Sequence, residues 1–251
     1  MNVLVLNPWL RIVTRPGSSR RVVFFPHGGG GASFYHPLAR ALPDDIEGVL
    51  VQYPGREDRI NEPPPCTMEQ LADSLTEAVG VLFDRPVWFF GHSMGASVAH
   101  EVTRRLTVRS GPLPKRLVVS GRPGPSRQTS DDLHLDDERL WNDVCRLGGT
   151  DSQLLAMPEV RAMVLPAIRA DYRLVETYRP TRATDLTVPV SCCYGENDPE
   201  VSRLDAEAWR EATTDSVDVH SFPGGHFYLR NESEAALIDW LASEIYGRSQ
   251  Q

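Results

Sequence analysis

The sequence predicts a doubly wound α/β fold, a mostly parallel central sheet with helices on both faces. Three observations carry this. Short runs rich in β-branched and aromatic residues recur along the chain, several of them apolar at every position, as strands covered on both faces must be. Between them lie longer stretches with apolar residues at helical spacing. The 251 residues, 41% hydrophobic and 24% charged, have the composition of an ordinary folded chain.

The predicted strands are Val22–Phe25, Val49–Tyr53, Val87–Phe90, Leu117–Val119, Val188–Tyr194 and Val217–Phe222. Met68, Leu71, Leu75, Val79 and Leu82 mark a helix that Thr67 can cap, with Gln70 reaching back. Ala96–Leu106 and Leu204–Ala212 read as further helices, and Ala235, Ile238, Leu241 and Ile245 mark a C-terminal one. Arg122 to Asp185 breaks the alternation with 64 residues that hold no good strand. A loop rich in Pro, Gly and Ser opens it. One helical pattern follows through Leu140, Trp141, Val144 and Cys145 to Gly148-Gly149, and another from Glu159 to Tyr178 is interrupted at Pro166. A helical insertion between two parallel strands, on the side where ligands bind, reads as a lid over residues 122–185 of a single domain spanning 1–251.

Net charge of −8 makes general binding of nucleic acid or anionic membrane unexpected. Lys115 is the only lysine. Cys66, Cys145, Cys192 and Cys193 show no zinc spacing; the adjacent pair sits in an apolar run and reads as core, which fits a reducing cytoplasm. Met1–Val13 is apolar but short and has no basic residue before Arg11, so it does not read as a signal peptide, and no apolar run is long enough for a membrane span.

Gly91-His92-Ser93-Met94-Gly95 is G-x-S-x-G between a predicted strand and a predicted helix, the setting of a nucleophile elbow and hence of an α/β-hydrolase fold. A serine hydroxyl is a weak nucleophile and needs a base held by a carboxylate, which the elbow fold supplies in the order Ser, Asp or Glu, His. Among the later histidines, His100 lies on the elbow helix, His134 in the insertion and His220 inside a strand. His226 follows the flexible Pro223-Gly224-Gly225 turn after the last strand and is the candidate base. Asp198, just past the strand ending at Tyr194, is the candidate acid, with Glu196 its local rival and Asp171 and Asp185 more distant alternatives. The oxyanion needs two backbone donors: the N–H of Met94 and one from Pro26-His27-Gly28-Gly29-Gly30-Gly31-Ala32, for which Gly28 is favoured and Gly29 is runner-up. That glycine run matches neither dinucleotide nor P-loop spacing. His27 reads as a brace for the loop. The chemistry needs neither metal nor soluble cofactor.

These motifs, in this order, resemble the type II thioesterases of polyketide and non-ribosomal peptide assembly lines, nearly end to end. Phe24 to Ser33 resembles the family's first loop, with Gly28 and Gly31 where Ala and Ser are common. Tyr53-Pro54-Gly55-Arg56-Glu57-Asp58-Arg59 resembles its Y-P-G-R segment. Leu165 to Tyr172, with Glu176 and Tyr178, resembles its lid signature. The resemblance implies acyl thioesters on the phosphopantetheine arm of acyl or peptidyl carrier proteins as substrates, and the removal of aberrant or stalled acyl groups as the task. It implies catalysis by Ser93, His226 and Asp198, and a cytoplasmic monomer is expected. Leu154, Leu155, Met157, Met163, Val164 and Leu165 are candidates for an acyl chamber. Asp171 and Glu176 are candidates for a salt-bridge network with Arg169, Arg173 or Arg179. Because such carriers are acidic, a local basic patch with Arg122, Arg127 and Arg182 is expected at the lid mouth. The rival readings are a carboxylesterase or lipase on free esters, a product-releasing thioesterase, and a hydrolase fold repurposed for binding.

Overall fold

The computed structural model describes residues 2–149, 153, 156–180, 185–230 and 233–247. The strands are β1 (Val3–Asn7), β2 (Leu10–Val13), β3 (Arg20–Phe25), β4 (Ile46–Val51), β5 (Val87–His92), β6 (Leu117–Ser120), β7 (Val190–Gly195) and β8 (Val217–Phe222). They form one eight-stranded sheet in the order β1-β2-β4-β3-β5-β6-β7-β8. Pairing is parallel from β4 through β8, and antiparallel only where β1 and β2 join the edge.

Alternate residues of each buried strand feed opposite cores, because successive side chains of a strand point to opposite faces. Val23 and Phe25 join one core, Val22 and Phe24 the other; Phe89 and Phe90 divide the same way, as do Cys192 and Cys193. The first core is roofed by α2 (Met68–Ala78) and α3 (Met94–Val108), the second by α1 (His36–Ala41) and α7 (Glu234–Tyr246). The adjacent cysteines are thus buried core residues on opposite faces. Thr67 caps α2 by accepting from the Gln70 N–H at 3.2 Å. The Gln70 side chain reaches back one residue further than the capping pattern, to the Cys66 N–H.

Between β6 and β7 lie α4 (Asp137–Leu147) and α5 (Pro158–Thr177), which build a small core of their own from Leu140, Trp141, Leu165 and Ile168. Three features differ from expectation. The β1–β2 hairpin has no counterpart in the predicted strands, since its outer strand is apolar yet solvent-exposed and lacks an alternating pattern. The helix after Leu204 is a short α6 (Arg203–Glu207) followed by a 3₁₀ turn. And α5 runs through Pro166 without ending. A proline removes one hydrogen bond and strains one carbonyl contact, and the burial of Leu165 and Ile168 on either side holds the helix together.

The order of the sheet places the site. From β3 the chain moves outward to β4, then returns to β5 on the other side and continues to β8. The direction reverses between β3 and β5, and ligands of open α/β sheets bind outside the strand carboxyl ends at such a reversal. The loop from Pro26 and the turn at Ser93 leave those two strand ends.

Candidate active site

Ser93 sits between the end of β5 and the start of α3 with φ 53° and ψ −119°. Two close approaches make the turn possible. A Cβ at Gly91 would lie 2.2 Å from the Gly95 carbonyl oxygen, and one at Gly95 would lie 2.0 Å from that of Phe25, so both positions exclude any side chain. The first N–H groups of α3 have no intrahelical acceptor. Among the described residues, no acceptor lies on the Met94 N–H or on that of Gly28. Ser93, Met94, Gly28 and His226 line one cavity of about 250 Å³.

Behind His226 stands Asp198. The imidazole Nδ1 lies 2.9 Å from Asp198 Oδ2 and 3.1 Å from Oδ1, with both side chains buried. The two loops are laced together: the Asn197 N–H donates to the Gly224 carbonyl at 2.9 Å, and a Cβ at Gly195 would strike the Gly225 carbonyl oxygen at 2.1 Å. Asp198 also accepts from the Glu200 N–H at 2.9 Å. A carboxylate on Nδ1 fixes the ring proton there and leaves Nε2 as the basic atom. The rival carboxylates have other partners. Glu196 accepts from the Ser221 hydroxyl, Asp185 pairs with Arg104, and Asp171 is bound to Arg56.

The other histidines have different duties. His100 packs edge-on against Trp209, His134 pairs with Glu176, and His220 lies against Trp240. His27 Nδ1 lies 3.0 Å from the Tyr35 hydroxyl, and its ring packs on Phe34 and Phe227. Burial, with the nearby His226 second, lowers its pKa to about 3, so it stays neutral and braces the glycine loop. Burial likewise holds His92 well below the usual imidazole value. Its Nδ1 meets Ser120 Oγ at 2.9 Å, and that hydroxyl meets the Tyr228 hydroxyl at 2.7 Å.

Several expectations for the insertion need correction. Val164 lines the cavity and Leu165 is buried in the insertion's own core, but Met157 and Met163 are exposed. Leu154 and Leu155 lie outside the described residues. Asp171 does not pair with Arg169, Arg173 or Arg179, because α5 turns it inward to Arg56; Glu176 accepts from the Leu133 and His134 N–H groups and pairs with the His134 ring. Arg122 belongs to no exposed basic patch, since its Nε donates to Ser97 Oγ at 3.1 Å and it lines the cavity. Arg127 faces Asp205 at 3.4 Å, and Arg182 lies outside the described residues. Reading the sequence also missed Arg146 of α4, which pairs with Asp143 on its own helix and with Glu200 beside the acid loop. An arginine one helical turn from an aspartate reads as a surface pair, and nothing local signals the second partner.

A parallel sheet carrying a strained serine at the carboxyl end of β5, with a buried Asp–His pair beside the same cavity, defines an α/β-hydrolase. The thioesterase domain family matches residues 20–244, and the chain belongs to that family. It is 42% identical over 216 residues to a probable cadicidin biosynthesis thioesterase of Streptomyces griseus, covering 86% of this chain and 60% of that protein. It is 39% identical to the thioesterase PikA5 of Streptomyces venezuelae, covering 89% of this chain and 81% of that one. Among solved structures, the type II thioesterase BorB from the borrelidin biosynthetic cluster superposes with a TM-score of 0.85 at 39% identity, covering 94% of this chain and 97% of that one. Among the described residues, no helix is long and apolar enough to cross a membrane.

Proposed function

We propose that this chain is an editing thioesterase of polyketide or non-ribosomal peptide synthesis. It hydrolyses aberrant or stalled acyl groups from the phosphopantetheine arm of carrier proteins. The observation that carries the catalytic part is the buried Asp198–His226 pair beside a cavity shared with Ser93. The relatives' biosynthetic descriptions support the substrate class.

In this reading Ser93 Oγ attacks the thioester carbonyl while His226 Nε2 takes its proton. Asp198 holds the ring and stabilises the imidazolium. The Met94 and Gly28 N–H groups receive the oxyanion, helped by the positive end of α3. The thiol of the carrier arm departs with the proton from His226. Water, deprotonated by the same nitrogen, then attacks the acyl-Ser93 ester, and Ser93 is released with the free acid. The insertion, as a lid, sets which acyl groups enter, with Val144 and Val164 in the cavity wall.

A panel of acyl groups loaded on a carrier protein tests this, with matched p-nitrophenyl esters beside it. Editing predicts turnover of several short acyl thioesters to free acids, a higher kcat/KM than on the oxygen esters, and loss of turnover in Ser93→Ala. Preference for oxygen esters would point to a carboxylesterase, and turnover confined to one long acyl chain to product release.

A further inference from the structure

Gly28 is the oxyanion donor in the function proposed above, and the next inference rests on that reading. The loop that carries Gly28 is held at several polar backbone atoms around it. The Gly30 N–H donates to the His27 carbonyl at 3.0 Å, the Tyr53 hydroxyl to the Pro26 carbonyl at 3.2 Å, and the Ala32 N–H to Gln52 Oε1 at 2.9 Å. Arg56 Nη1 donates to the Gly30 carbonyl at 3.2 Å. The remaining hold comes from far away in the chain. Asp171 of α5 accepts from the Gly29 N–H at 2.7 Å and, through its other oxygen, from Arg56 Nη2 at 2.8 Å. Asp171 is 1% exposed and Arg56 5%.

The same helix lies directly on the loop. A Cβ at Gly29, where φ is +79°, would strike Ile168 at 2.7 Å, and one at Gly28 would touch Asp171 and Tyr172. The Gly29 N–H is therefore consumed, whereas the neighbouring Gly28 N–H has no acceptor among the described residues, and Gly28 lines the cavity. To act on the developing oxyanion a donor must sit about 2.7–3.1 Å from it, held within about half an ångström of that position.

We infer that Asp171 is a positioning residue for the oxyanion hole, so that the hole is complete only while α5 is docked on the glycine loop. The insertion would then do more than admit substrate: its seating sets the Gly28 N–H. A merely structural role would instead have Asp171 anchor the helix through Arg56 alone.

Two double variants separate these roles, because both remove the buried charges together and so leave neither unpaired. Arg56→Met/Asp171→Asn keeps an acceptor for the Gly29 N–H, whereas Arg56→Met/Asp171→Leu removes it. Both are assayed on the acyl thioester that the wild type turns over fastest. The Leu variant should be slower in kcat by about 30-fold than the Asn variant, with KM within about threefold, since a misplaced donor acts on the transition state and not on substrate binding. A trifluoromethyl ketone that forms a tetrahedral adduct with Ser93 should bind the Leu variant more weakly by the same factor. Equal kcat in the two variants, or a difference confined to KM, overturns the inference. If the Leu variant does not fold, Arg56→Gln/Asp171→Asn against Arg56→Gln/Asp171→Ala makes the same contrast with the same outcomes. A wild type without thioesterase activity, or an undiminished Ser93→Ala, overturns the proposed function and this inference with it. An active wild type with equal variants overturns the inference alone.

Discussion

Ser93 should cost the fold stability, and that cost is measurable. At φ 53° and ψ −119° its backbone lies where only glycine rests without strain. A side chain held in such a region costs on the order of 1–3 kcal/mol. Replacing it by glycine relieves that, while the freer unfolded chain takes back about 0.4–1 kcal/mol. The net expectation is a gain of about 1 kcal/mol for Ser93→Gly over Ser93→Ala, the variant that keeps the Cβ. In a chain of this size that raises Tm by about 2–4 °C. Ser93→Ala should melt close to wild type, because among the described residues the hydroxyl makes no hydrogen bond that alanine would forfeit. Calorimetry on the three proteins reads both differences, and hydrolysis of a carrier-bound acyl thioester should be lost in both variants. A glycine variant melting at or below the alanine variant would refute the claim that the turn is strained.

Three further outcomes follow. Asp198→Asn presents an amide to His226 Nδ1, turns the ring to the wrong tautomer, and should lower kcat by about 10⁴-fold with circular dichroism unchanged; a loss under tenfold would free His226 from this carboxylate. Acid should destabilise the fold: the folded pKa of His27 is lowered from 6.5 to about 3, so below pH 6.5 the unfolded chain binds the extra proton and stability falls with pH, by about 1.4 kcal/mol per unit between pH 6 and pH 4 from this group. His92 and His100, also lowered by burial, add in the same direction, and urea midpoints that stay flat across that range would contradict the assignment. Leu140→Ala, which hollows the core peculiar to the insertion, should cost about 2–5 kcal/mol of local packing; limited proteolysis should then cut between residues 122 and 185 first, and cleavage first in the strands would count against an independent insertion core.

The six parallel strands, β3 to β8, and the candidate catalytic residues were legible because their signals are local. A buried β-branched run bounded by turn residues reads as a strand, as the exposed outer strand β1 does not, and G-x-S-x-G between strand and helix carries its own geometric reason in Gly91 and Gly95. His226 was legible through the glycines before it, and Asp198 through its place at a strand end. The insertion was less legible because its partners lie far away in sequence. Arg169 and Arg173 looked like partners for Asp171 by proximity, yet each is two positions away, and residues two apart on a helix do not share a face. Both are exposed, while Ile168, Asp171 and Leu174, three apart, form the buried face. An acidic residue on the buried face of a helix, with no cation at three or four positions, must find its partner elsewhere, because an unpaired buried carboxylate is too costly to keep. Helical spacing alone therefore demanded a distant cation for Asp171. The Tyr-Pro-Gly-Arg segment, which ends on a single arginine beside the glycine loop, is where that cation stands, 115 residues earlier in the chain.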